Sequence, residues 1–156
     1  MMELKPYKNE IEKVIFSFIK SEDEFIKWSA GRFSKNHNAL NDFYKENEYI
    51  MPFTFYYEDA PAGHLMIIQK NDSLIKFGHI ILSPNLRGKG LAKKMLNLGL
   101  KKAKEMGGQM VYLTVFKDNV SAIECYKALG FKKTNREKEL NINDKIYSLF
   151  DMEIEI

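Results

Sequence analysis

The chain has one cysteine, Cys125, so it can form no internal disulfide and no cysteine-based metal cluster, which agrees with a reducing compartment. No spacing of His, Asp and Glu suggests a metal site either. No apolar run approaches the length that crosses a bilayer. Glu3, Lys5, Lys8 and Glu10 stand where a signal peptide needs an unbroken apolar stretch, and a cytoplasmic protein is expected. Repeats, low-complexity tracts and linkers are absent. The formal charge is only +3, too small for a nucleic-acid argument from the whole protein. What is present is 156 residues, 45% of them apolar, enough to bury a continuous core, and residues 1–156 read as a single domain.

The charge is instead concentrated. A mostly apolar run, Phe77 to Leu82, stops at Pro84 and passes through Arg87-Gly88-Lys89-Gly90-Leu91-Ala92, after which apolar residues recur at helical spacing. That order is strand, tight loop, helix. Gly88 and Gly90 let the backbone take dihedrals that other residues avoid and let a ligand approach the main chain. The first amides of a helix have no partner inside it and carry partial positive charge, which suits a phosphate or pyrophosphate. Arg87, Lys89, Lys93 and Lys94 lie close enough to help, whereas Lys101, Lys102 and Lys104 read as a solvated helix face.

The spelling excludes two familiar phosphate loops. No Ser or Thr follows Gly90 as a P-loop requires, and Lys93 stands where a dinucleotide fingerprint needs its third glycine. The hexapeptide Arg87 to Ala92 resembles instead the coenzyme A pyrophosphate loop of the GNAT superfamily of acyl-CoA-dependent N-acyltransferases. A second stretch agrees. The apolar run Met110 to Phe116 is followed by Asn119, Ala122 and Tyr126, three and four positions apart on one helix face, with Gly130-Phe131 closing the helix, which looks like the same superfamily. The two resemblances cover residues 73 to 131.

The resemblance implies an α/β fold with a mixed, largely antiparallel sheet flanked by helices, whose central parallel strand pair splays to admit acyl-CoA. Acetyl-CoA is the implied co-substrate, and an amine, small molecule or peptide, the implied acceptor. It further implies that Asn119 contacts the pantetheine or pyrophosphate arm, that Ala122 leaves room for it, and that Tyr126 points its hydroxyl at the coenzyme sulfur. The plainer account has Asn119 only capping the helix and Tyr126 only filling the core. For direct transfer, backbone amides near Ile81 and Leu82 would hold the thioester carbonyl and its developing oxyanion, and Tyr126 would protonate the departing thiolate. An alkyl amine is mostly protonated at neutral pH and must first lose a proton. Glu58, His79 and, more weakly, His64 are the candidate bases, and water relaying the proton to no single side chain is equally open. Cys125 reads as an inert buried thiol.

The rest of the chain is read from its pattern. Met2 to Tyr7 is an edge strand because of Pro6. Ile11, Val14, Ile15, Phe18 and Ile19 share a helix face. Ser21 and Glu24 form a capping box, and Asn38 to Glu48 is a third helix. Trp28, Phe33, Phe43 and Tyr44 belong to the core or to an acceptor pocket. Phe53 to Glu58, Gly63 to Gln69 and Leu74 to Leu82 form a meander, its first turn at Asp59-Ala60-Pro61-Ala62. Met110 to Phe116 should run parallel to the strand before the loop. Phe131 to Glu137 and Lys145 to Ile156 are the last strands, the final one with Ile146, Ser148, Phe150, Met152, Ile154 and Ile156 on its buried face. Two rivals stay open, a non-catalytic acyl-CoA sensor and a nucleic-acid-binding module, and a homodimer is also left open.

Overall fold

The structure, a computed structural model, describes residues 1–156. Seven strands form one sheet in the order β1-β2-β3-β4-β5-β7-β6. Strands β1 (Met2–Pro6), β2 (Ile50–Tyr57), β3 (Ala60–Gln69) and β4 (Leu74–Leu82) are antiparallel neighbours, and β5 (Met110–Phe116) runs parallel to β4. Strands β7 (Lys145–Glu155) and β6 (Lys132–Ile142) complete the other side. The mixed, mostly antiparallel architecture expected from the sequence is present.

Helices cover both faces. On one lie α4 (Leu91–Glu105) and α5 (Val120–Leu129), burying Leu65, Phe77, Leu96, Val111, Leu113, Tyr126 and Met152. Gly99 brings α4 close to the sheet, since a Cβ there would lie 2.7 Å from Leu65 Cδ2. On the other lie α1 (Glu12–Ser17), α2 (Glu22–Ser29) and α3 (Ala39–Glu46), packing Ile15, Phe16, Phe25, Trp28, Leu40 and Tyr44 against Met66, Ile68 and Ile81. The start of α3 is held by a carboxylate from another helix. Buried Glu12 accepts from the amides of Asn38 (2.7 Å) and Asn41 (3.0 Å), where negative charge meets the positive helix end.

Several local expectations are corrected. The β2–β3 turn is the pair Glu58-Asp59, with φ of +51° and +65°, and Ala60 and Pro61 already belong to β3. Two left-handed residues match the strand twist in a two-residue hairpin. Asn143-Asp144, with φ of +53° and +63°, plays the same part between β6 and β7, so β6 runs on to Ile142. The capping box is half formed. Ser21 Oγ accepts from the Glu24 amide (3.1 Å), but the Glu24 carboxylate turns away to Arg87. Strand β7 is covered on both faces. Tyr147 and Leu149 are buried with Phe116, with Ile26 packed against them, while Ile146 and Ser148 on the expected core face are exposed.

The pairing of β4 with β5 sets up the site. It runs from Leu74↔Met110 to Phe77↔Leu113 and stops, while β5 stays paired with β7 as far as Phe116↔Leu149. On its other edge β4 pairs Gly78 with Met66 and Ile81 with His64, so His79 and Ile80 face the single residue Leu65. This is a bulge, and a bulge bends its strand. His79 sits in it with φ of +49°, a strained value for a side-chain-bearing residue. Bent there, β4 parts from β5.

Candidate active site

A cavity of about 880 Å³ passes through the gap between the two strands and is lined from both faces of the sheet. Ala92, Met95, Leu96, Ala122, Cys125 and Tyr126 line it from α4 and α5. Trp28, Ser29, Arg32, Lys76 and His79 line it from the α2 side.

The loop after β4 lies on the wall of this cavity. Pro84–Leu86 forms one 3₁₀ turn, and Gly88 and Gly90 follow with φ of +78° and +77°. A Cβ on either would meet nothing within 4 Å, so it is the left-handed backbone, and not crowding, that calls for glycine. No side chain caps α4. The amides from Gly88 to Lys93 donate to no acceptor in the chain, the first to do so being that of Lys94, to Gly90 O. A helix start with its donors all free is suited to an anion.

The flanking cations divide. Arg87 is already committed. It donates to both carboxylate oxygens of Glu24 (3.2 and 2.8 Å), to Phe18 O (3.0 Å) and through Nε to Leu82 O (3.0 Å). Its guanidinium therefore braces the loop against α1 and α2 and is not free for phosphates, contrary to the expectation. Lys93 lines the cavity without a salt-bridge partner, but Lys89 does not line it. Leu91 is buried among Phe55, Ala62, Leu82 and Met95, leaving only its amide to a ligand.

On α5, Asn119 stands at the helix start and makes no side-chain capping bond, so the plain capping role is not filled. It lines the cavity together with Ala122 and Tyr126. Burial of the Tyr126 ring, which packs 5.9 Å from Phe131, pushes its phenol well above the ordinary value near 10, so it holds its proton. Cys125 is half-buried, its thiol pushed up by burial against the pull of Lys93. On β4, the Ser83 amide donates to Ala62 O (2.7 Å), across to β3. Strand alternation then turns the Leu82 amide toward the opposite, unpaired edge, the side on which Leu82 O meets Arg87.

The candidate bases separate. Glu58 sits in the exposed β2–β3 turn, 3.7 Å from the N-terminal amine, and lines no part of the cavity. His79 and His64 are both buried and share one hydroxyl. Tyr44 Oη lies 2.7 Å from His79 Nδ1 and 2.7 Å from His64 Nε2. One hydroxyl proton can serve only one of them, so the other ring must donate. His64 Nδ1 is buried without a partner. An orphaned N–H there would cost more than an idle lone pair, so His64 donates from Nε2 and Tyr44 donates to His79. The remaining His79 proton is then on Nε2, the ring nitrogen without a protein partner. Burial lowers His64 to about 3 and His79 well below its ordinary value, with His64, Arg32 and Lys76 adding to the latter. Both rings are neutral at pH 7. Trp28 stacks on His79 with centroids 4.9 Å apart, and Phe33 and Phe43 complete an aromatic wall.

Three groups escaped the sequence reading. Glu24 meets Arg87 across 63 positions, with no local signal. Tyr44 was legible only as an aromatic. Lys76, whose ammonium is lowered to about 8 mainly by burial, did leave a trace as a lone cation inside the apolar strand Leu74 to Leu82.

The family model described as Acetyltransferase (GNAT) family matches residues 16–131. A spermine/spermidine N(1)-acetyltransferase of Bacillus subtilis is 31% identical over 105 residues, 62% of this chain and 68% of that protein. A mycothiol acetyltransferase of Corynebacterium efficiens is 25% identical over 130 residues, 80% of this chain and 43% of that protein. Among solved structures, the spermidine N-acetyltransferase of Vibrio cholerae in complex with CoA and spermine superposes with a TM-score of 0.82, 19% identity and coverage of 99% and 95%.

Proposed function

The chain belongs to the GNAT acetyltransferase family, and from that premise we propose that it acetylates a small-molecule amine held on the α2 side of the gap between β4 and β5. It is an acetyl-CoA-dependent N-acetyltransferase. The observation that carries the assignment of its site is the row of free amides from Gly88 to Lys93, opening onto a cavity that crosses the sheet.

In this proposal the amides of Gly88, Lys89, Gly90, Leu91 and Ala92 take the coenzyme's pyrophosphate, with Lys93 adding charge and Arg87 fixing the loop. The pantetheine arm passes Asn119 and Ala122 to bring the thioester beside β4. The Leu82 amide and the His79 Nε2–H then face the carbonyl, two donors aimed where negative charge develops. Ile81 contributes its place in the strand, its side chain being buried. Tyr126 faces the departing sulfur. A thiol has an ordinary pKa near 8.5, below that of this phenol, so a completed proton transfer would run uphill. Tyr126 therefore keeps its proton and stabilises the thiolate through a hydrogen bond.

Neither Glu58 nor His79 is a suitable base. Glu58 lies outside the cavity, and His79 is neutral, with a conjugate acid too acidic to take a proton from an ammonium. Water in the open cavity removes it. Relatives named for spermine and spermidine support an amine acceptor of small size.

Incubation with acetyl-CoA and a panel of small amines, read as release of free coenzyme thiol, tests the proposal. Acceptor-dependent release supports it. Coenzyme A binding with no release from any amine would indicate the sensor instead. Salt-sensitive nucleic-acid binding that coenzyme A fails to displace would indicate the other rival.

A further inference from the structure

Three carboxylates line the cavity, and each is already beside a cation. Asp23 is 2.9 Å from Lys27, Glu24 is 2.8 Å from Arg87, and Glu124 is 3.8 Å from Lys127. The cations are in excess. Arg32, Lys76 and Lys138 line the cavity from the end of α2, from β4 and from β6, and none has a salt-bridge or hydrogen-bond partner through its side chain. They feel one another: Arg32 and Lys138, with Lys70, add to the burial that lowers Lys76. Asp151 pulls the other way, but it already accepts from Thr114 Oγ1 (2.7 Å) and Arg136 Nε (3.0 Å). A fourth donor waits in the same wall. Trp28 Nε1 is buried with no acceptor in the chain.

These cations are not part of the coenzyme's phosphate site. Lys76 precedes Leu82 by six residues, about 20 Å along a strand, whereas it precedes His79 by only three, about 10 Å. An acceptor reaching from Lys76 to the thioester need be no longer than a small amino compound.

We propose that Arg32, Lys76 and Lys138 form an anion-binding subsite for the acceptor, so that this enzyme acetylates a small amine bearing a carboxylate or phosphate group and disfavours polyamines. The inference rests on the acetyltransferase reading of the site and narrows its substrate class. An anion there meets three cations that have no anionic partner, Lys76 lying only over the Tyr112 ring (5.8 Å), and Arg32 offers it a planar fork that matches either group. A polyamine would bring its remaining charges against the same three cations, with no free carboxylate in the cavity to receive them.

The test is acetyl-CoA thiol release with four acceptor classes: α-amino acids, their carboxamides, an aminoalkyl phosphonate, and spermidine. The proposal expects kcat/KM for the preferred anionic acceptor to exceed that for its neutral counterpart and for spermidine by at least tenfold. The amino acid and phosphonate arms decide which anion is taken. Arg32→Gln and Lys138→Gln, both at exposed side chains, should raise KM for the anionic acceptor about tenfold while coenzyme A affinity and kcat stay within about twofold. Arg32→Glu should shift preference toward spermidine. Release with spermidine above the anionic acceptors, or a KM indifferent to these substitutions, would overturn the subsite and leave the transferase standing. No release from any class would contradict the transferase reading and remove the subsite with it.

Discussion

Tyr44 is one hydroxyl serving two buried imidazoles, and that arithmetic makes His79 a donor. His79→Gln retains an N–H to offer, so it should keep a measurable part of kcat that His79→Ala loses; equal loss in both would mean that the ring is needed as a base. Tyr126→Phe should lower kcat about ten- to hundredfold, the worth of a hydrogen bond to a charged group, with KM for acetyl-CoA nearly unchanged. Unchanged turnover would remove Tyr126 from the chemistry. The histidines also make the fold acid-sensitive. Their folded pKa values lie below the unfolded value near 6.5, so the unfolded chain binds more protons and stability is lost as pH falls from 6.5 toward about 3. Burial of neutral His64 alone corresponds to roughly 3 kcal/mol by pH 4. Melting temperature should therefore drop between pH 7 and pH 5, and the drop should shrink in His64→Phe whatever its absolute stability. His79 was legible in the sequence as a candidate. Its role was not, because Tyr44 and His64 lie 35 and 15 positions away and only the folded sheet brings them to it.

At the scale of elements, local chemistry carried most of the fold. Alternation, glycines and capping residues placed the strands and the two main helices of the α4–α5 face. Errors fell where tertiary contacts compete with local ones. Glu24 leaves its capping box because Arg87 offers a bidentate partner, and β7 buries the wrong-looking residues because α2 covers its second face. The bulge at His79 had no sequence sign, since a left-handed histidine is held by its surroundings. Gly99 shows packing overriding propensity. Alanine there gains about 1 kcal/mol of helix propensity, yet its Cβ would stand 2.7 Å from Leu65 and 3.2 Å from Phe77. Gly99→Ala should destabilise by about 1–2 kcal/mol in urea unfolding. A stability equal to or above the parent's would show that α4 can shift outward freely.

At the scale of the whole molecule, a bend in one strand and a free helix end lie at the same gap. Strand β4 parts from β5 just before the loop that presents six successive amides, and the cavity joins the two faces of the sheet there. The motif residues of the loop and of α5 were readable because each is local. At the acceptor end Trp28 was readable as an aromatic of core or pocket, but the grouping of Arg32, Lys76 and Lys138 was not, because they come from three separate stretches of the chain. The most direct check is an amide nuclear magnetic resonance titration with coenzyme A. The account predicts that the largest perturbations fall on Gly88, Lys89, Gly90, Leu91 and Ala92, with smaller ones at Asn119 and Leu82. Saturating binding that leaves the loop amides unmoved would contradict it.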